Sequence, residues 1–348
     1  MNTTLLNPYN SPLAGNFKNR IVMGAMTRGF ADNNHCATDL MCAYYKRRAE
    51  DGVALILTEG MVIHQSADGY NNVPHISTEA QAESWKSTTA AVHAAGSKIF
   101  SQLWHCGRIS HEDYTGGVSP VSASTLQAEG MNRQNNKPFG TPIALTKEGI
   151  KEVYDQYMNA AELAFKAGFD GVEVHLGHGY LADSFFDTRV NDRTDNYGGS
   201  VENRCRFALE LTQLMIAKYG AEKVMVRISP SREMNNENFD WPNLEEMIAY
   251  LIPSFDKIGL RLLDISCARA DYYKTSGRVI RMVKPLWSHF LIGGASLTAE
   301  QAEKEIKDGY LDMVTWARQL LANPDFVSKI KNGKELTSLS PEMLSRLV

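Results

Sequence analysis

Cysteine is sparse and unpaired in this chain. Cys36, Cys42, Cys106, Cys205 and Cys267 make five, an odd number with no C-x-x-C spacing. That argues against a disulfide framework or a structural zinc site and reads as reduced thiols in a cytoplasmic protein, with Cys106 as packing. No apolar run approaches the roughly 20 residues of a membrane span. No basic stretch is long enough for a nucleic-acid footprint, and the net charge is −4. Residues Met1 to Pro8 carry neither a basic region nor an apolar one, so no secretory leader is expected. No G-x-G-x-x-G opens a helix, and no low-complexity tract or linker interrupts the chain. The only visible repetition is the alternation of strand and helix.

What is present suits one large core. Of 348 residues, 43% are hydrophobic, and residues 1–348 read as a single domain. Short β-branched or apolar runs recur at Arg20–Met26, Val53–Thr58, Lys98–Leu103, Gly171–Val174, Val224–Ile228, Leu262–Ile265, Phe290–Gly293 and Met313–Thr315. Helical patterns lie between them at Asp39–Ala49, Ala80–Ala95, Lys147–Ala167, Val201–Lys218, Asn243–Ile258, Ala299–Lys307 and Pro324–Lys331, with Thr146 as an N-cap. Eight alternating units predict an α/β fold, a closed (β/α)8 TIM barrel, over a doubly wound open sheet. Residues 106–146 are rich in Gly, Ser, Pro and Asn and read as an excursion after the third strand that caps the barrel mouth. Asn10–Lys18 is expected to cross the barrel bottom.

Active sites of such barrels form at the C-terminal ends of the strands. The residues there are Ala25, Met26 and Thr27; Glu59 and Gly60; Gln102, Trp104 and His105; His175 and His178; Arg227; Ser266; Gly293 to Ser296; and Ala317 with Arg318. No acidic pair dominates these ends, which disfavours glycosidase chemistry. No lysine ends a strand, which disfavours a Schiff base. Gly293-Gly294-Ala295-Ser296 with Ala317-Arg318 suits the phosphate site that barrels build after strands seven and eight. Arg227 is a candidate buried cation for an anionic ligand ring, although an arginine on a strand can equally salt-bridge a neighbour. His175-x-x-His178 has metal-ligand residue types but no evident third ligand, so no metal is expected.

Longer strings carry more information. They are Asn19-Arg20-Ile21-Val22-Met23 through Thr27-Arg28, Gln102-Leu103-Trp104-His105-Cys106-Gly107-Arg108, and the block His175–Tyr180. Two more are Arg193-Thr194-Asp195-Asn196-Tyr197-Gly198-Gly199-Ser200-Val201-Glu202-Asn203-Arg204 and Ala322-Asn323-Pro324-Asp325. In these strings, and from about Asn19 to Ile330, the chain resembles the Old Yellow Enzyme family of flavin-dependent ene-reductases. It looks nearest to the bacterial branch that includes pentaerythritol tetranitrate reductase and N-ethylmaleimide reductase.

The resemblance implies non-covalent FMN across the barrel mouth and NADPH or NADH as reductant. It implies that Thr27 bonds the flavin carbonyl beside N5, that Gln102 meets the pyrimidine edge, and that Arg227 lies near N1 and O2. Ala295, Ser296, Ala317 and Arg318 would hold the phosphate, with Ala25, Met26, Gly60 and His175 as further cofactor contacts. His175 and His178 would bond the electron-withdrawing oxygen of the substrate, and Tyr180 would supply a proton. Tyr70, Trp104 and Asn235 would line the substrate pocket.

Three positions depart from the family pattern. Trp316-Ala317 precedes Arg318 where the family has glycine, so Ala317 is expected to be strained if its φ is positive. Gly24-Ala25-Met26 stands where Ala-Pro is usual. The tail Lys334–Val348 has no tyrosine or glycine, so the pocket is expected to be more open on that side. The activity implied is NAD(P)H-driven reduction of the C=C bond of α,β-unsaturated carbonyl or nitro compounds. Rival readings are an isomerase or dehydrogenase on the same flavin barrel, a non-catalytic flavin binder, and a flavin-free barrel enzyme. The partner expected is a small-molecule substrate, with neither nucleic acid nor membrane, for a chain acting as monomer or homodimer.

Overall fold

The computed structural model describes residues 4–11, 14–234, 237–267 and 271–348. Eight parallel strands close into a barrel: β1 (Ile21–Met23), β2 (Leu55–Val62), β3 (Lys98–Trp104), β4 (Gly171–His175), β5 (Val224–Ile228), β6 (Leu262–Ser266), β7 (Phe290–Gly294) and β8 (Met313–Trp316). Each strand pairs with the next in sequence, and β8 pairs with β1, so no edge is left open. All eight runs anticipated from the sequence are these strands, with ends that differ by a few residues.

The strands read as continuous apolar runs because both of their faces are buried. Val22, Leu55, Leu57, Phe100, Met225, Leu262, Ile292 and Met313 point inward and fill the barrel. Their neighbours Ile21, Ile56, Ile99, Val172, Val226, Leu263, Leu291 and Val314 point outward against the helices. Gly171 leaves room on β4 for the Phe100 ring, which lies 2.5 Å from where a Cβ would stand. Below, a hairpin of Tyr9–Ser11 and Gly15–Phe17 covers the bottom as expected. Phe17 stacks on Phe290 at 5.9 Å, and Lys98 Nζ donates to Ala14 O at 3.0 Å.

The helices begin where capping residues permit. Thr146 Oγ1 accepts from Gly149 N at 3.0 Å at the start of Lys147–Lys166, and Thr78 and Gln81 form a capping box at the start of Glu79–Ala94. Helices Asp39–Asp51, Val201–Tyr219, Leu244–Lys257, Ala299–Lys307 and Phe326–Lys331 match expectation to within two residues at each end. The sequence reading lacked the short helices Leu181–Phe186 and Arg318–Ala322 and, after β6, the helix Ser276–Val283. Its Thr275 cap makes no side-chain cap bond, and Gly277 near its start is pressed against the Tyr272 ring. Propensity and capping signals are both weak there, and burial of Val279, Ile280 and Val283 holds it in place. Among the described residues, no helix is long and apolar enough to cross a membrane.

The excursion after β3 carries two small ladders, Val121–Ser122 with Ile143–Ala144 and Met131–Asn132 with Lys137–Pro138. Arg193 anchors it by donating to Ala123 O at 3.1 Å and Leu145 O at 2.6 Å while paired with Asp195. The long motif after the fourth strand therefore serves as a buttress. Asn132 Nδ2 donates to Gly69 O at 3.2 Å, which draws the excursion over the mouth.

Candidate active site

A cavity of about 730 Å³ opens at the C-terminal ends of the strands, as the fold requires. The loop after β1 supplies one wall through Ala25, Met26 and Thr27. That loop is held from beneath by Glu59, whose carboxylate accepts from the backbone N–H of Arg28 and of Gly29, each at 2.9 Å. Glu59 reaches it because β2 shifts register against β3 between Leu57 and Gly60, an irregularity that re-aims the strand end. Burial pushes the Glu59 carboxyl up to about 7.

Arg227 faces the cavity from β5 and also pairs with a neighbour. Its Nε lies 3.7 Å from Asp264 Oδ2, and its Nη1 donates to Ala25 O at 3.4 Å. Gln102, buried on β3, donates from Nε2 to Glu173 Oε2 at 2.7 Å. Ala295, Ala317 and Arg318 line the cavity at its far end. With Ser296 they also line an adjoining cavity of about 350 Å³, where Arg318 Nη2 donates to Ser296 Oγ at 3.1 Å. The condition for strain at Ala317 is not met. Its φ is −113° and ψ −69°, right-handed backbone that caps the short helix Arg318–Ala322.

His175, His178 and Tyr180 are brought together beside this cavity. The two imidazole centroids are 5.2 Å apart, and His175 and Tyr180 are 5.4 Å apart. His178 and Gly179 both adopt left-handed backbone, at φ 62° and 82°. For histidine that conformation is costly, and it is held here by specific bonds. Asp183 accepts from Gly179 N, and the same carboxylate is fixed by Arg232 and by Trp241 Nε1. Ser229 Oγ lies 3.3 Å from His178 Nε2. Among the described residues, Nδ1 of each histidine is buried and has no hydrogen-bond partner. Burial, reinforced by the Arg227 charge, pushes both imidazoles well below their ordinary range, so both are neutral.

Tyr180 joins the cavity through Tyr70, whose hydroxyl is 2.8 Å from its own. Burial holds the Tyr180 phenol well above 10, and it pushes Tyr70 up to about 12. Trp104 packs against both rings, at 4.8 Å from Tyr70 and 4.9 Å from Tyr180. Gly60 permits this, because a Cβ there would lie 2.6 Å from the Trp104 ring. His105 is buried and accepts from Gly107 N at 3.0 Å, so it shapes the turn after β3. Asn235 lies outside the described residues.

The expected opening on the side of the tail is overturned. Leu339 and Leu344 line the cavity. Arg28 Nη2 donates to the carbonyls of Met343, Leu344 and Arg346 at 3.3, 3.3 and 2.7 Å, and Arg48 Nη1 donates to Val348 O at 2.6 Å. The tail is fastened through backbone carbonyls, which any residue type supplies, so its side-chain composition carried no signal of the contact.

Two clusters escaped the sequence reading. The first is Glu173 and Asp264, one layer inside the mouth; parity with His175 and Ser266, two residues on, marks both as inward-facing. The second is His35, Asp68 and His75, whose ligand-type atoms lie within 4.8 Å of one another. The His35 and His75 rings stack at 3.7 Å with 18° between their planes, so their in-plane lone pairs run side by side. Asp68 accepts from His75 Nε2 at 3.0 Å and from the backbone of Gly69 and Tyr70. That arrangement braces the Tyr70 loop and does not converge on an ion.

The site suits a flat, anionic, ring-bearing ligand, with Arg318 and Ser296 at one end, Arg227 and Gln102 beneath, and unpartnered imidazole nitrogens alongside. The family model of the NADH:flavin oxidoreductase / NADH oxidase family matches residues 14–337. The chain is 34% identical over 330 residues to 12-oxophytodienoate reductase 1 of Oryza sativa subsp. japonica, covering 92% of this chain and 84% of the relative. It is 34% identical over 334 residues to a Leishmania infantum protein named "Probable flavin mononucleotide-dependent alkene reductase", covering 93% and 89%. A solved Old Yellow Enzyme homologue from Zymomonas mobilis superposes with a TM-score of 0.91 at 32% identity, covering 99% of this chain and 97% of that one. With a family model over residues 14–337, relatives at this identity and a fold likeness over nearly the whole chain, the chain belongs to the NADH:flavin oxidoreductase / NADH oxidase family and is an FMN-dependent oxidoreductase of the Old Yellow Enzyme type.

Proposed function

We propose that the protein reduces the C=C bond of α,β-unsaturated carbonyl or nitro compounds, with NADPH or NADH as the source of electrons. The observation that carries this reading is the trio beside the cavity: two neutral imidazoles, each with a buried Nδ1 lacking a partner, next to a phenol that keeps its proton. When bound, FMN supplies hydride at N5 to the β-carbon of the alkene.

Each residue of this chain then has a defined task. Ser296, Arg318 and the backbone at Ala295 and Ala317 would hold the phosphate of FMN. Thr27 and Gln102 would hold its ring, with Ala25 and Met26 as the adjoining wall. Arg227 would offset the negative charge that the ring gains on reduction. His175 and His178 donate to the carbonyl or nitro oxygen as it gains charge, a contribution of about 3–4 kcal/mol for one well-aimed donor. Tyr180 delivers its proton to the α-carbon. Tyr70 and Trp104 line the substrate side, and Gly60 acts through Trp104.

The test is turnover of purified, yellow protein on enones, nitroalkenes and nitrate esters with each nicotinamide, with products identified. Saturated product formed in step with nicotinamide oxidation supports the reading. Rearranged product formed without net use of reductant would establish an isomerase instead.

A further inference from the structure

Directly below the mouth, Glu173 on β4 and Asp264 on β6 flank Arg227 on β5. Both carboxyls are fully buried. Glu173 Oε2 accepts from Gln102, and Asp264 Oδ1 accepts from Ser266 Oγ, which also meets Thr315 Oγ1 at 2.8 Å. That leaves one oxygen on each, Glu173 Oε1 and Asp264 Oδ2, with no ordinary donor among the described residues. Both sit on the strands either side of the one that carries Arg227, and among the described residues Arg227 is the one cation within 4.0 Å of either carboxyl. One cation cannot balance two carboxylates in a dry interior unless one of them carries a proton.

We propose that Glu173 and Asp264 are a carboxyl pair sharing one proton, and that their single negative charge, held against Arg227, sets the charge the barrel presents beneath the flavin ring. The pair are positioning residues that act through Arg227 and Gln102. The proton resides on Glu173, which burial and the Asp264 charge hold well above the carboxylate range; burial raises Asp264 as well, but Arg227 at 3.7 Å and the bond from Ser266 oppose that rise. Arg227 fits this role because its Nε makes no hydrogen bond and is held by charge at 3.7 Å from Asp264. Its cation is therefore half spent on Asp264 and half available to the mouth. Glu173 also decides which way Gln102 points, because it takes an amide N–H and leaves the amide carbonyl free.

This inference rests on the reading that FMN occupies the mouth, and its test separates the two. Asp264→Asn leaves Arg227 uncompensated. The ratio of reduced-flavin to oxidised-flavin affinity should rise by about tenfold or more, an increase of about 30 mV in the two-electron midpoint potential. Glu173→Gln reproduces the neutral acid and still accepts from Gln102, so the potential should stay within a few millivolts. Infrared spectra of the holoenzyme should show a protonated-carboxyl band above neutral pH that Glu173→Gln removes. An equal rise in potential for both variants would overturn the proposal, because both groups would then be ionised. An unmoved potential in Asp264→Asn, or no protonated-carboxyl band, would also overturn it. If Asp264→Asn fails to fold, the band and the Glu173→Gln potential still decide. A purified protein that takes up no FMN defeats the reading of the mouth, and the infrared band then decides the shared proton alone.

Discussion

Replacing Tyr180 with phenylalanine removes one oxygen beside the cavity and leaves the ring. That ring keeps its edge contact with Trp104 at 4.9 Å and with His175 at 5.4 Å, so the pocket keeps its shape. One hydrogen bond is lost, the 2.8 Å contact with Tyr70, whose hydroxyl is left without that partner. A neutral bond of this kind contributes about 0.5–1.5 kcal/mol, so the melting temperature should fall by only a few degrees. The chemical effect is larger. A positioned general acid accelerates its step by roughly 10²–10⁴-fold, about 3–5 kcal/mol. The wild-type phenol holds its proton throughout the working pH range, because burial raises it well above 10. The variant offers no proton there. Stopped-flow absorbance can follow the two half-reactions separately. Bleaching of the flavin by NADPH should be unchanged within about threefold, while reoxidation by an enone slows by two to four orders of magnitude. Equal losses in the two halves would refute Tyr180 as the proton donor. Equal losses with a large fall in melting temperature would show that the hydroxyl acts in packing.

Other consequences are open to direct measurement. Arg28→Ala removes the three carbonyl bonds that fasten the tail, at a cost of about 2–3 kcal/mol, and limited proteolysis should then cut within 335–348 far faster than in the wild type. Gly60→Ala sets a methyl group 2.6 Å from the buried Trp104 ring. It should destabilise by about 1–3 kcal/mol and weaken phenol binding through Tyr70 and Tyr180; a melt and a ligand titration check both. Glu59 gives a pH signature. Its carboxyl is raised to about 7 in the fold from an ordinary 4.5, so its contribution is complete below 4.5 and is lost as pH rises through about 7. Glu59→Gln should flatten that decline by up to about 3 kcal/mol, seen as a smaller difference between melts at about pH 5 and about pH 8. Parallel curves for wild type and variant would refute the assignment.

Much of the barrel was legible because its signals are local. Each strand is a short apolar run bounded by polar residues, and the capping Thr146 sits one residue before its helix. Polar residues at strand ends were legible for the same reason, since a parallel barrel places every such end at one mouth. The helix Ser276–Val283 was not legible, because its start has no capping bond and includes a glycine that tertiary packing tolerates. The tail was misjudged because side-chain composition does not reveal a segment docked through its carbonyls. Whether Ala317 needed a positive φ could not be read from residue types alone, and its φ of −113° is one that alanine adopts.

Alternation, capping and strand-end chemistry are properties of neighbouring residues and can be read from them: eight units, one barrel, and polar groups such as Thr27, Gln102, Arg227 and Arg318 at the strand ends. What those groups meet was set only when the chain folded. Glu173, Arg227 and Asp264 come from three strands, Tyr70 and Tyr180 are 110 positions apart, and Arg28 meets a carbonyl 318 positions away. The physical reason is that charge and proton position depend on burial and on partners a few ångströms off, and those distances exist only once the barrel has closed.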